Sequence, residues 1–373
     1  MKVLIFSITA GEGHNSTATA IKQYFESRGD TAEVFDAYRY VSKLLYEVVK
    51  QGYLLATKDF KTLYSKTYTL VDRHPNNSKN KGVFRIANLQ ITRKLGKYIS
   101  EYDPDAIIYT HVFLGVVTDL LHNKGVYRKP VIGVLTDYTL HPLWEEAHST
   151  DRIVIPCDLL RPELYRRGFT DDRIAPIGIP VRKQFETSIP KDEARKKLGL
   201  ADKFTVLMMG GSMGYGNIAG HVQELDNIDA DFQIISVCGN NAEAKKSIDE
   251  LQTRKRILNY GFTDEIALLM DAADCIITKP GGLTTAEALA KGLPLIVCNP
   301  IPGHEERNAT FLVNNGVAMK LDAHVHFEDV VYQLMHNPTH LDCMRRAIPV
   351  IGKPHSTADL YVLTKELVDK SRS

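Results

Sequence analysis

The chain has 373 residues, 44% hydrophobic and 24% charged, and its 46 Lys and Arg stand against 45 Asp and Glu. That length exceeds one ordinary core and implies two domains, while no apolar run is long enough to cross a bilayer. Five scattered cysteines, at 157, 238, 275, 298 and 343, lack any zinc-binding spacing and read as reduced residues of a cytoplasmic protein.

The N-terminus, MKVLIFSITAG, reads as a first β-strand rather than a signal peptide, because no small-residue cleavage site follows the short apolar run. Strand Val3 to Ser7 opens into Gly11-Glu12-Gly13-His14, and Ser16 to Arg28 has helical periodicity. A strand, a glycine turn and a helix in that order bring backbone N–H groups and the positive end of a helix toward a ligand, which suits phosphate. After a short strand over 32–36 comes a basic and aromatic segment. Residues 38–98 hold thirteen Lys and Arg against three Asp and Glu, interleaved with Tyr and Phe, and read as two or three helices with a loop around Asp72 to Lys81. That composition suits an anionic membrane surface, and no recognised nucleic-acid module is present.

Buried strands are expected at 105–111 and 131–137, the second ending in a polar loop with Asp137, His141 and Trp144. Residues 177–181 read as a linker. The second half repeats the plan: strand 204–209 opens into the corner Gly210-Gly211-Ser212-Met213-Gly214, and strands follow at 232–239, 257–262 and 274–277. Pro280-Gly281-Gly282 then turns the chain into a helix that carries Glu287, placing an acid where ribose hydroxyls donate. Beyond strand 295–297, Pro300 to Asn308 reads as a polar loop suited to a sugar, and helices close the chain from about 327 to 370. Strands alternating with helices throughout imply two Rossmann-like doubly wound domains facing a central cleft. The expected division is 1–180 with the C-terminal helix 355–373, and 181–354.

Gly13-His14, Thr136-Asp137 with His141 and Trp144, Gly210-Gly211-Ser212, and Lys279-Pro280-Gly281-Gly282 with Glu287, Pro302-Gly303, Glu305 and Asn308 occur in order along the chain. Together they resemble the monogalactosyldiacylglycerol synthase and processive diacylglycerol glucosyltransferase family, inverting glycosyltransferases of family 28 with the GT-B fold. The resemblance implies transfer of a hexose from a UDP-sugar to diacylglycerol by a cytoplasmic protein at the inner face of the cell membrane. It assigns donor binding to the C-terminal half, with Pro280, Gly281 and Gly282 on the diphosphate, Glu287 on the ribose, backbone near Phe262 on uracil, and Gly211 and Ser212 over the phosphates. The loop with Gly303, His304, Glu305 and Asn308 falls to the donor sugar, and the N-terminal half, with Gly13, to the acceptor; His141 and Trp144 suit acceptor contact or the pinning of their loop equally. His304 stands where family members commonly carry glutamine, which leaves glucose, galactose and other hexoses open.

Inverting transfer needs a base for the acceptor hydroxyl. His14 is the first candidate, with an ordinary pKa near ~6.5; Asp137 is the second, as base, orienting group or helix cap. Helix N-termini at Gly210-Gly211 and Gly281-Gly282, with Lys279 or Arg182, suit the leaving diphosphate. No Asp-x-Asp pair lies at a strand end, so neither a cofactor nor an essential metal is expected. Another lipid or soluble acceptor, or a UDP-sugar epimerase or sensor, remains an alternative, and oligomeric state is open.

Overall fold

A computed structural model describes residues 1–7, 12–36, 40, 92–214 and 216–373. The helices and loop expected over 41–91, and with them most of the basic and aromatic segment, lie outside the described residues.

The chain divides into two units, Met1–Lys183 with His355–Ser373, and Gln184–Pro354. The first is built on six strands: β1 (Lys2–Ser7), β2 (Thr31–Asp36), β3 (Ala106–Tyr109), β4 (Val131–Val134), β5 (Arg152–Val154) and β6 (Ile174–Ala175). All pair in parallel, in the order β2-β1-β3-β4-β5-β6. Val3 to Phe6 of β1 and the whole of β3 are continuous apolar runs because both faces of a parallel sheet are covered. Helix α1 (Glu12–Ser27) turns Ala18, Ile21 and Phe25 into the core at helical spacing, beside Val3, Ile5, Ile108 and Ile132. Helix α2 (92–102) precedes β3, and α3 (Val112–Asn123) leaves it.

The expected linker at 177–181 is buried at Ile179 and Val181. The hydroxyls of Ser356 and Thr357 donate to the carbonyls of these two residues at 2.9 and 2.5 Å, at the start of the long C-terminal helix Ser356–Arg372. That helix packs Tyr361 edge-on to Phe25 of α1, with ring centroids 5.0 Å apart, so the end of the chain completes the first unit.

In the second unit the strands are β7 (Thr205–Met209), β8 (Gln233–Val237), β9 (Ile257–Tyr260), β10 (Cys275–Thr278), β11 (Leu295–Val297) and β12 (Ala318–Lys320). They too are all parallel, in the order β12-β11-β10-β7-β8-β9. Counted from its own first strand, this is the dinucleotide-binding order 3-2-1-4-5-6. Asp274 sits just before β10 and is buried. It accepts from Arg195, Lys191 and the Thr205 N–H, so the charges that enter this core are paired.

All five cysteines are free, four of them buried and Cys343 exposed. Burial, and then the neighbouring Glu305, push the Cys298 thiol up to about 12, so it stays an inert thiol. Among the described residues no helix is long and apolar enough to cross a membrane.

Candidate functional site

Ligands of open parallel sheets bind beyond the carboxyl ends of the strands, where the strand order reverses direction. In the first unit that point lies between β1 and β3, and in the second between β7 and β10. Several of the residues singled out in the sequence, His14, Gly211 and Gly281 among them, lie at the ends of the strands that flank these two points.

After β1 the chain enters α1, whose first turn carries Gly13 and His14. His14 is half-buried, and its Nδ1 lies 2.7 Å from the carbonyl oxygen of Thr110, the residue that follows β3. The Thr136 hydroxyl, beyond the end of β4, approaches the same nitrogen at 3.1 Å. Thr136 and Thr110 are both buried, and the Thr110 hydroxyl also faces the His14 carbonyl at 3.4 Å. Next to α1 in the chain, Ser7 donates to the Asn15 side chain at 2.6 Å, which ties the end of β1 to the helix start. Asp137 directly follows Thr136 and is half-buried.

His111 was expected as the last residue of a strand. Instead β3 stops at Tyr109, and His111 caps α3: its backbone is extended, and its Nδ1 accepts from the Phe113 N–H at 3.3 Å. Its ring meets that of His14 edge-on with centroids 4.8 Å apart. Removal from solvent holds its pKa well below the ordinary value, and repulsion from His14 and His141 adds to this. His141 repeats the arrangement, capping the 3₁₀ turn Pro142–Glu146 through Nδ1 to the Leu143 N–H at 3.2 Å. Sequence reasoning passed over His111; the signal that finds it is its place, one residue past the loop start at the switch point. Trp144 is buried and stacks on Tyr109 with centroids 5.5 Å apart, while the Tyr109 hydroxyl bonds Thr150 at 2.8 Å. Tyr109 directly precedes Thr110 and His111 in the chain, so this packing fixes the root of their loop.

In the second unit β7 opens into Gly210-Gly211-Ser212. Gly211 has φ +72°, a left-handed conformation that any side chain would strain. A Cβ there would lie 3.5 Å from the Lys279 side chain, so the corners after β7 and β10 are neighbours. After β10, Gly281 caps the helix α4 (Gly282–Ala290), whose first N–H groups point out of its start. Glu287 is buried on this helix.

The stretch expected as a polar loop is shorter than that. The chain turns helical at His304, so His304, Glu305 and Asn308 stand in the first two turns of α5 (His304–Asn314). Two features start the helix there: Gly303 adopts φ +100°, which only glycine takes readily, and the Glu306 carboxylate reaches back to the Gly303 N–H at 3.2 Å. Placement on a helix changes what these residues touch. Glu305 is 2% exposed; its Oε1 accepts from Lys279 at 2.7 Å and its Oε2 from the Ile301 N–H at 2.8 Å. Asn308 is fully buried and donates to the Pro280 carbonyl at 3.0 Å. Both therefore tie α5 to the Pro280-Gly281 corner, and His304 remains half-exposed at the helix start. Phe262 lies past β9, at the sheet edge away from β10, and is 64% exposed. Among the described residues no three His, Cys, Asp or Glu side chains gather as a metal site.

By its chemistry the first site is suited to accept a proton and the second to hold negative charge. The first offers a half-buried imidazole in a frame of hydroxyl and carbonyl groups; the second offers glycines, a helix start and a lysine.

Comparison with known proteins gives two matches along the chain. Residues 14–181 match the model of monogalactosyldiacylglycerol (MGDG) synthase, and 205–354 match the glycosyltransferase family 28 C-terminal domain. The chain is 30% identical over 374 residues to a processive diacylglycerol beta-glucosyltransferase of Bacillus pumilus, covering 99% of this chain and 95% of that one. It is 31% identical over 338 residues to the chloroplastic monogalactosyldiacylglycerol synthase of Spinacia oleracea, covering 86% of this chain and 63% of the relative. Among solved structures, MurG of Acinetobacter baumannii superposes with a TM-score of 0.63 at 16% identity, over 98% of this chain and 99% of that one. A UDP-GlcNAc 2-epimerase from Neisseria meningitidis superposes at 0.58 and 14% identity, over 98% and 99%. At such identities the last two show a shared fold.

Proposed function

The chain belongs to the family of diacylglycerol glycosyltransferases that holds the monogalactosyldiacylglycerol synthases and the processive diacylglycerol glucosyltransferases, and on that premise we propose its reaction and the residues that perform it. It is a UDP-sugar-dependent hexosyltransferase that makes glycolipid from diacylglycerol. The observation that carries the residue assignment is His14, held by Thr110 and Thr136 at the switch point of the first unit.

The diacylglycerol hydroxyl gives its proton to His14 as its oxygen bonds to the anomeric carbon of the sugar. The bond from that carbon to the diphosphate breaks, and its electron pair leaves with UDP. Attack opposite the leaving group inverts the anomeric centre. Asp137, next to Thr136 in the chain, is the second candidate for the base. The second unit holds the donor: N–H groups at Gly281 and Gly282 and the Gly211-Ser212 turn receive the diphosphate, Glu287 the ribose and backbone near Phe262 the uracil. Fixed dipoles of this kind stabilise the leaving charge without reorganising. Lys279 adds a cation, and the turnover is proposed to need no metal ion. Gly303 and His304 border the donor sugar, with Glu305 and Asn308 holding the corner in place. Gly13 and His141 border the acceptor, and Trp144, stacked on Tyr109, pins the loop that carries His141.

Diacylglycerol is held in a membrane, and the basic and aromatic segment 38–98 is the contact, facing anionic lipid at the inner surface of the cell membrane. Each Lys or Arg near such a surface contributes about 1 kcal/mol.

The test is incubation of the purified protein with UDP-glucose, UDP-galactose or UDP-N-acetylglucosamine and vesicles containing diacylglycerol and anionic lipid, with and without EDTA. A glycolipid formed from one donor, unchanged by EDTA, is expected. No glycolipid from any donor overturns the proposed reaction, and activity lost with EDTA overturns its metal independence.

A further inference from the structure

His14 and His111 meet at the switch point of the first unit and His141 follows β4 nearby, and their hydrogen bonds do not treat the three alike. His111 and His141 each accept a backbone N–H at Nδ1, from Phe113 and Leu143. In its neutral form each therefore carries its proton on Nε2. His14 is the reverse. Its Nδ1 lies 2.7 Å from the Thr110 carbonyl oxygen, and a carbonyl only accepts. Two lone pairs at that distance repel, so the Nδ1 of His14 must be the protonated nitrogen and Nε2 the basic one.

Thr136 decides how firmly that holds. A hydroxyl either donates or accepts, and at 3.1 Å from the same nitrogen it is close enough to do either. Donation to Nδ1 would select the opposite tautomer and leave Nε2 with a proton and no basicity. The shorter contact belongs to the carbonyl, so Thr136 is left to accept, sharing the Nδ1 proton in a three-centre bond.

We propose that the Thr110 carbonyl and the Thr136 hydroxyl clamp Nδ1 of His14, making Thr136 a positioning residue that keeps Nε2 in the lone-pair state the reaction needs. This rests on the reading of His14 as the base. The clamp acts twice. Before transfer it selects the tautomer; after the acceptor hydroxyl has passed its proton to Nε2, the same two oxygens receive the N–H of the new imidazolium. Here a backbone carbonyl and a hydroxyl orient the base, a role that a carboxylate serves in the serine-hydrolase triad. His111 fits the arrangement as a neutral neighbour: it caps α3, where the helix dipole opposes a positive charge, so no permanent cation stands 4.8 Å from the base.

The test combines a spectroscopic signature with kinetics. Protein labelled with ¹⁵N-histidine, its His14 resonances identified by their loss in His14→Ala, is expected to show His14 protonated at Nδ1 above pH 7.5. In Thr136→Val, kcat with diacylglycerol vesicles and whichever of UDP-glucose and UDP-galactose turns over is expected to fall about tenfold, a fraction of what a general base supplies. KM for the UDP-sugar stays unchanged, and Thr136→Ser restores kcat to within about twofold. A wild-type His14 protonated at Nε2 overturns the clamp even if the valine variant does not fold. So does a valine variant that raises KM at constant kcat, or a serine variant that fails to rescue. His14→Ala that keeps its turnover overturns the base assignment itself; His14→Ala that loses turnover alongside any of the preceding results overturns the clamp alone.

Discussion

Each switch point lies in a six-stranded parallel sheet, and the two differ in what lines them. In the second unit the crossing between β7 and β10 is lined by glycine, backbone N–H groups and one lysine, and its polar side chains face inward: Glu305 to Lys279 and Ile301, Asn308 to Pro280. In the first unit the crossing between β1 and β3 is lined by side chains that titrate or bond, His14, His111 and Thr136. A site that holds a diphosphate needs fixed dipoles and room for backbone to approach, so glycine serves it. A site that accepts a proton needs a group with a pKa near working pH and a fixed tautomer, so histidine with buried hydroxyl partners serves it. The contrast explains how two six-stranded parallel sheets accommodate two different jobs.

The largest break in this comparison comes at the base. Removing it with His14→Ala is expected to cost about 10² to 10⁴ in kcat, read by glycolipid formation. Removing a charge that braces the other site shows in stability instead. Lys279→Met leaves Glu305 buried with one oxygen lacking its cation, and unfolding in urea is expected to show a loss of about 3–5 kcal/mol. A ligand-facing change in the second unit is smaller. Glu287→Gln removes a charged acceptor from the ribose, and calorimetry is expected to show UDP affinity about tenfold weaker, with the fold intact.

The smallest effect is in pH. His111 is held neutral, its folded pKa well below the ordinary 6.5. The folded state binds fewer protons than the unfolded chain in that interval, so this contribution is full above pH 6.5 and is lost as pH falls from there through the folded value. Thermal melts from pH 7.5 to 5 are expected to drop more steeply for the wild type than for His111→Asn, which keeps a helix cap and removes the ring. Equal slopes would mean that some other group carries the acid sensitivity.

The second site was the more legible of the two because its chemistry is local in sequence. Strand, glycine corner and helix stand side by side from Cys275 to Ala290, and the alternation that encodes both sheets is visible as apolar runs. The clamp on His14 was not legible, since Thr110 and Thr136 lie 96 and 122 residues away. Only the parallel register of β1 with β3 and of β3 with β4 brings them to one nitrogen. His111 was hidden by the apolar strand before it, which gives no sign that pairing stops at Tyr109. The start of α5 was hidden by its prolines and polar density. Both patterns suit a loop, and the helix depends on a glycine dihedral and on a carboxylate reaching back.

The division of labour is tested most directly by measuring turnover and UDP affinity on one preparation of His14→Ala. The account expects glycolipid formation to be lost while UDP binds as tightly as in the wild type. Turnover that survives, or turnover and UDP affinity lost together in a folded variant, would contradict it.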